Sequence, residues 1–151
     1  NAPEKSSPEL DIQVNRVGEW SLPLDLLVAG VRAVLDRAQV IEGELSLTFL
    51  DDQGIQALNR DYFGKNRPTD VIAFALQDPE TSVLGDVYVG YDQAQRQAED
   101  EGVVLEEELL RLAIHGTLHV LGYEHPEGDD RAESEMFLLQ EEILRETLRS
   151  G

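Results

Sequence analysis

All three histidines of this 151-residue chain fall in one stretch, His115-Gly-Thr-Leu-His119-Val-Leu-Gly-Tyr-Glu-His125. His115 and His119 stand at i and i+4. On a helix that spacing projects both from one face, about 6 Å apart along the axis. Two imidazoles so placed grip one metal ion. Gly122 follows three residues later, where a helix ends cheaply in a left-handed turn. The reversal expected there swings His125 back as a third nitrogen ligand. The competing reading is three unrelated surface or core histidines, and it has to explain why none occurs elsewhere.

The H-x3-H-x5-H pattern with Gly in between is the geometry of the metzincin zinc helix. Metzincins place Glu directly after the first His as general base. Here that position is Gly116, so the cage is present and the peptidase base is missing. A closed structural zinc site would need a fourth ligand, commonly Cys, and the chain has no Cys. The expectation is an open site, one Zn²⁺ on His115, His119 and His125 with room for a water acidified to a pKa of about 7. Ni²⁺ or another divalent ion also suits nitrogen ligands.

The elements that position these residues follow from hydrophobic periodicity. Residues 1–8 are polar and read as a disordered tail, with 9–151 as a single domain. Leu10 to Val14 alternates as a half-buried strand. Ser21 and Pro23 open a helix as cap and first-turn residue. It runs to about Gln39, and Gly43 breaks it. Glu44 to Phe49 alternates again. Asp51 or Asp52 caps a short helix carrying Ile55, Leu58 and Tyr62. Gly64 to Asp70 is a loop. Val71 to Leu76 is an unbroken apolar run and reads as a strand buried on both faces. In the fourth strand, Leu84 to Val89, Gly85 signals a bulge or close backbone approach. Asp92 caps a helix from about Gln93 to Asp100. The main helix, Leu105 to Leu121, is apolar all round in its second half and so central. A last amphipathic helix spans about Asp129 to Leu148. The order β-α-β-α-β-β-α-α-α predicts an α+β domain, a small mixed four-stranded sheet packed with helices.

At 151 residues the chain supports one domain with a substantial core. No apolar run reaches membrane-spanning length. The lack of Cys excludes a disulfide scaffold and fits a reducing, cytoplasmic setting. The net charge of −19 argues against nucleic acid as a sum, but binding depends on where the charges sit. Much of the acid falls on helices with a solvated look, and solubility in a saline cytosol is one explanation. The only local excess of positive charge is Arg60-Asp-Tyr-Phe-Gly-Lys65-Asn-Arg67. Cations beside aromatic rings suit single-stranded nucleic acid. An ordinary exposed loop, with Tyr62 facing the core, is the plainer reading of composition alone.

Three segments together carry a family resemblance. The stretch from His115 to His125 resembles the H-G-x-L-H-L-x-G-Y-D-H signature of the YbeY family of bacterial rRNA maturation factors. Asn59 to Phe74 is similar to that family's N-x-x-Y-R-G-x-x-x-P-T-D-V-L-S-F segment, and Leu84-Gly85-Asp86 to its L-G-D strand. The match runs in order from about residue 45 to 140. It implies a zincin-like fold whose central helix binds metal through His115, His119 and His125. It also implies a metal-dependent endoribonuclease specific for single strands, acting in small-subunit 16S rRNA 3′-end maturation and ribosome quality control, with the small subunit and its assembly proteins as partners. Three departures stand out. The family's Arg, a natural clamp for phosphate, is Phe63, which can stack a base instead. Glu124 replaces Asp, and Ala73-Phe74-Ala75 replaces S-F-P.

With no clear general base, Lys65 and Arg67 are the candidate catalytic cations in place of the missing Arg. Asp86, Glu124, Asp129 and Asp130 are candidates to orient the imidazoles from behind, against the plainer reading of each as a solvated carboxylate. RNA is expected to enter beside the Leu84–Val89 strand and the 60–70 loop. The rival readings are a non-catalytic, metal-binding assembly factor and a zinc peptidase-like hydrolase.

Overall fold

The computed structural model describes residues 9–76, 82–123 and 130–150, without the side chains of 130–134. The expected tail at 1–8 lies outside the described residues. The chain forms β1 (Leu10–Arg16), α1 (Leu24–Arg37), β2 (Glu42–Leu50), α2 (Asp52–Phe63), β3 (Val71–Ala75), β4 (Ser82–Gly90), α3 (Tyr91–Glu101), α4 (Leu105–Val120) and α5 (Asp130–Ser150). The element order is the one the periodicity predicts, and the domain is α+β. The four strands make one mixed sheet in the order β1-β2-β4-β3. β1 and β4 flank β2 in parallel, and β3 pairs antiparallel with β4 at the edge.

Alternation sorts the sheet into two unlike faces. Leu45, Leu47 and Phe49 of β2 and Val83, Val87 and Val89 of β4 are buried. They share one core with the buried residues of helix α4, which touches α1, α3, α5, β3 and β4. Register puts Ser46, Thr48, Asp86, Tyr88 and Phe74 on the opposite face, where the Ser46 hydroxyl donates to Asp86 at 2.7 Å. α4 is the central helix that its composition predicts. Leu109, Leu110, Ala113, Ile114 and Leu118 are fully or almost fully covered, and each such aliphatic side chain larger than Ala stabilises by roughly 1.5–3 kcal/mol.

Several local expectations give way. α1 starts at Leu24 behind Pro23 with no side-chain cap, so Ser21 is not its capping residue. The helix closes at Arg37, Gln39 takes a positive φ of 62°, and Gly43 sits inside β2 rather than ending α1. β3 is not buried on both faces: only Ile72 among its five residues is buried, because the strand is an edge. Asp51 does cap α2, accepting from Gly54 N–H at 2.8 Å. Asp92 does not cap α3, which begins behind Gly90. Its carboxylate instead accepts the N–H of Asp52 at 2.9 Å, serving the first turn of α2.

Candidate metal centre and RNA groove

The second half of α4 presses so tightly on the sheet that side-chain size decides the sequence. A Cβ on Gly116 would meet Val87 Cγ1 at 2.4 Å and Val71 Cγ2 at 3.0 Å. Gly116 therefore leaves no space toward the site; it is the contact at which helix meets sheet. The glutamate a metzincin carries at this position has nowhere to go. Gly85 serves the same packing from the strand side, where a Cβ would meet Val120 at 2.6 Å. That is the close approach expected of it.

His115 and His119 lie on the half-buried stripe of α4. Their rings stand edge to face with centroids 4.5 Å apart, and the two Nε2 atoms approach to 3.0 Å. Each Nδ1 meets an acceptor. His115 Nδ1 lies 2.6 Å from Gln140 Oε1, and His119 Nδ1 lies 2.6 Å from the carbonyl oxygen of Tyr123. Both acceptors are oxygens, so each ring places its proton on Nδ1 and turns the lone pair of Nε2 inward. Two neutral rings so arranged would set acceptor against acceptor. A metal ion between the nitrogens turns that opposition into coordination, as a shared proton turns it into a hydrogen bond. A tetrahedral zinc with bonds of about 2.0–2.1 Å separates two ligand nitrogens by roughly 3.3 Å, so the observed gap is close to what one ion needs.

Gly122 has φ of 100°, the left-handed turn its sequence position predicts. The reversal ties Tyr123 N–H to Leu118 O at 3.1 Å and so folds the Tyr123 carbonyl back onto His119. His125, the expected third nitrogen, lies outside the described residues, as do Glu124 and Asp129; Asp130 opens α5 with its side chain undescribed. Among the described residues no group of three His, Cys, Asp or Glu gathers for a metal.

His119 also lines a cavity of about 470 Å³ with Asn59, Phe63, Thr69, Val71 and Ala73 among its walls. The groove runs beside β3, the edge strand, and not beside β4, which β3 screens. Phe63, where the family pattern has Arg, reaches this groove. It is half exposed and stacks on Phe74 with centroids 6.0 Å apart and planes 11° apart. Tyr62 is 65% exposed and touches the same Phe74 edge-on at 5.2 Å, so it does not face the core. Lys65 and Arg67 are exposed on the following loop, and neither is among the described residues lining the groove. The Arg67 carbonyl accepts from Asn59 Nδ2 at 3.0 Å, which ties that loop to α2. Asp86 orients neither imidazole, because it is on the other face of the sheet with Ser46. The partner of His115 is Gln140, 25 residues away on α5. No local spacing signals it.

A family model described as Endoribonuclease YbeY matches residues 19–148. The chain belongs to the YbeY family. Endoribonuclease YbeY of Persephonella marina is 37% identical, covering 92% of this chain and 93% of its own. The YbeY of Desulfitobacterium hafniense is 46% identical over 80% of this chain and 86% of its own, and that of Halalkalibacterium halodurans 40% identical over 89% and 95%. In solved structures, the solution structure of TM1509 from Thermotoga maritima superposes with a TM-score of 0.69 at 28% identity, covering 92% of this chain and 90% of that one. Gly116, which matches the Gly of the resembled signature, has a physical reason in its packing against Val87.

Proposed function

We propose that this chain is a metal-dependent endoribonuclease that cuts single-stranded RNA in the cytoplasm, at the 3′ end of small-subunit rRNA and in ribosome quality control. The ion is Zn²⁺, held by His115, His119 and His125. The observation that carries the reading is the pair of Nε2 atoms turned toward one point beside an open groove. Family membership supports the chemistry on RNA. When bound, a divalent ion supplies Lewis acidity that polarises a phosphoryl oxygen and makes water more nucleophilic.

The chain's own residues then have limited tasks. Gln140 and the Tyr123 carbonyl hold the two imidazoles in one tautomer. The β3 edge and the end of α2 shape the groove, and the exposed ring of Phe63 offers a face to an unstacked base. Lys65 and Arg67 lie near enough in sequence to draw the phosphate backbone toward the α2 end while the net charge of −19 repels it elsewhere. Affinity for RNA alone is therefore weak, and the small subunit with its assembly proteins supplies the rest of the targeting.

The test is incubation of Zn²⁺-loaded chain with single-stranded and duplex RNA beside His119→Ala. Cleavage of the single strand alone, lost in the variant, is the expected result. No cleavage above the variant would leave the non-catalytic assembly factor as the reading. Phe63→Arg should raise the rate, since a guanidinium there faces developing phosphate charge that a phenyl ring does not.

A further inference from the structure

Behind His115 runs a chain of hydrogen bonds whose direction is chemically fixed. Gln140 is 5% exposed. Its Oε1 faces His115 Nδ1 at 2.6 Å, and its Nε2 donates to Glu141 Oε2 at 3.1 Å. Glu141 is also buried and receives two bonds from Arg111, from Nε at 2.8 Å and from Nη2 at 3.1 Å. Arg111 is itself held from α4 by Glu108 at 2.7 Å and Glu107 at 2.9 Å. Glu108 takes a further bond from Gln97 of α3 at 2.7 Å.

An amide side chain has a donor end and an acceptor end, and the two look alike in shape. Something must choose between them. An ionised carboxylate only accepts, so Glu141 forces the NH₂ end of Gln140 toward itself. The carbonyl end then faces His115 and accepts only from an N–H. His115 Nδ1 must carry the proton, and its Nε2 keeps the lone pair for a metal. Were Glu141 neutral, or absent, the amide could turn over, and its NH₂ end would favour the wrong tautomer. Burial by itself would push the Glu141 carboxyl up, but hydrogen bonds from Arg111 and Gln140 outweigh it and hold the group below the ordinary carboxylate range. The guanidinium thus keeps Glu141 an acceptor.

We propose that Gln140 is a positioning residue whose polarity, set by Glu141 and Arg111, locks His115 in the metal-binding tautomer. The metal affinity of α4 thereby depends on an ion pair that never touches the ion. This inference rests on the metal-site reading of the histidine pair.

The test uses the full chain with Gln140→Met, Glu141→Gln and Gln140→Glu. Two quantities are measured: Zn²⁺ affinity by chelator competition, and the His115 tautomer in metal-free chain by ¹⁵N imidazole NMR, with thermal midpoints as a check on folding. Gln140→Met should weaken Zn²⁺ binding about 10- to 100-fold, the usual effect of losing such a partner, and should mix the His115 tautomers. Gln140→Glu keeps an acceptor oxygen on His115 but sets a second carboxylate against Glu141, so it should hold the Nδ1–H tautomer while lowering the thermal midpoint. Glu141→Gln keeps the volume, frees the amide to turn, and should mix the tautomers on its own. Wild-type tautomer and affinity in a folded Gln140→Met would overturn the proposal. If Gln140→Met does not fold, an unchanged tautomer in Glu141→Gln overturns it. If the wild-type chain takes no Zn²⁺, the metal reading fails separately, and the tautomer spectra still decide whether the relay operates.

Discussion

Helix α4 carries two polar clusters, one in each half, and they are built on opposite terms. Toward its N-terminus, Arg111 faces Glu107, Glu108 and Glu141 at 2.7–2.9 Å, one guanidinium donating to all three carboxylates. Four residues on, His115 and His119 aim lone pairs at each other. The first cluster closes its hydrogen bonds within the chain and joins α4 to α5. The second brings two Nε2 atoms to 3.0 Å, a spacing that one cation from solution can bridge. Hydrogen-bond satisfaction within the chain marks structure, and convergence of like acceptors marks a site.

Removing the cation from the self-satisfied cluster should have the largest effect on stability. Arg111→Met leaves Glu108 and Glu141 facing each other with little solvent, a loss of about 3 kcal/mol, read from urea unfolding at neutral pH. The variant should also change the acid limb. In the wild-type chain the lowered Glu141 carboxyl contributes stability above the ordinary value of 4.5 that is lost as pH falls through its folded value. With Arg111 gone, burial of Glu141 is opposed only by the Gln140 hydrogen bond and Arg145, so most of the lowering is lost and the variant's deficit should narrow at about pH 3.5. A constant deficit would show that Arg111 acts by packing and not by charge.

A smaller effect should come from the contact that separates the histidine end from a peptidase site. Gly116→Ala places a methyl 2.4 Å from Val87 and should cost about 1–3 kcal/mol, measured by the same unfolding curves. Val87→Ala in the same chain should recover part of it. If Gly116→Ala were neutral, the helix would not be pinned against the sheet, and the missing glutamate would need another explanation.

The two halves of α4 also differ in how far the sequence discloses them. The i,i+4 histidines and the glycine turn follow helical geometry, so spacing alone finds them. Gly85 reads correctly as a close approach, because a glycine in a strand has few other reasons to be there. Long-range partners do not show in spacing. Gln140 reaches His115 across 25 residues, and Asp92 serves α2 across 40, which its position ahead of α3 conceals. The apolar run of β3 resembles a central strand, yet the order β1-β2-β4-β3 puts it at the edge. Hydropathy records that Val71 and Ile72 are apolar but not whether another strand or an open groove lies beyond them. Gly116 is the sharpest case: its sequence shows a base missing, and only packing shows that no side chain fits.

The central claim is that the histidine end of α4 binds one cation. Equilibrium titration of the metal-free chain with Zn²⁺ tests it most directly, with His115→Ala and His119→Ala alongside. The account predicts one ion per chain, a rise in the thermal midpoint on binding, and loss of both in either variant. Binding that survives in both variants, or no binding by the wild-type chain, would contradict it.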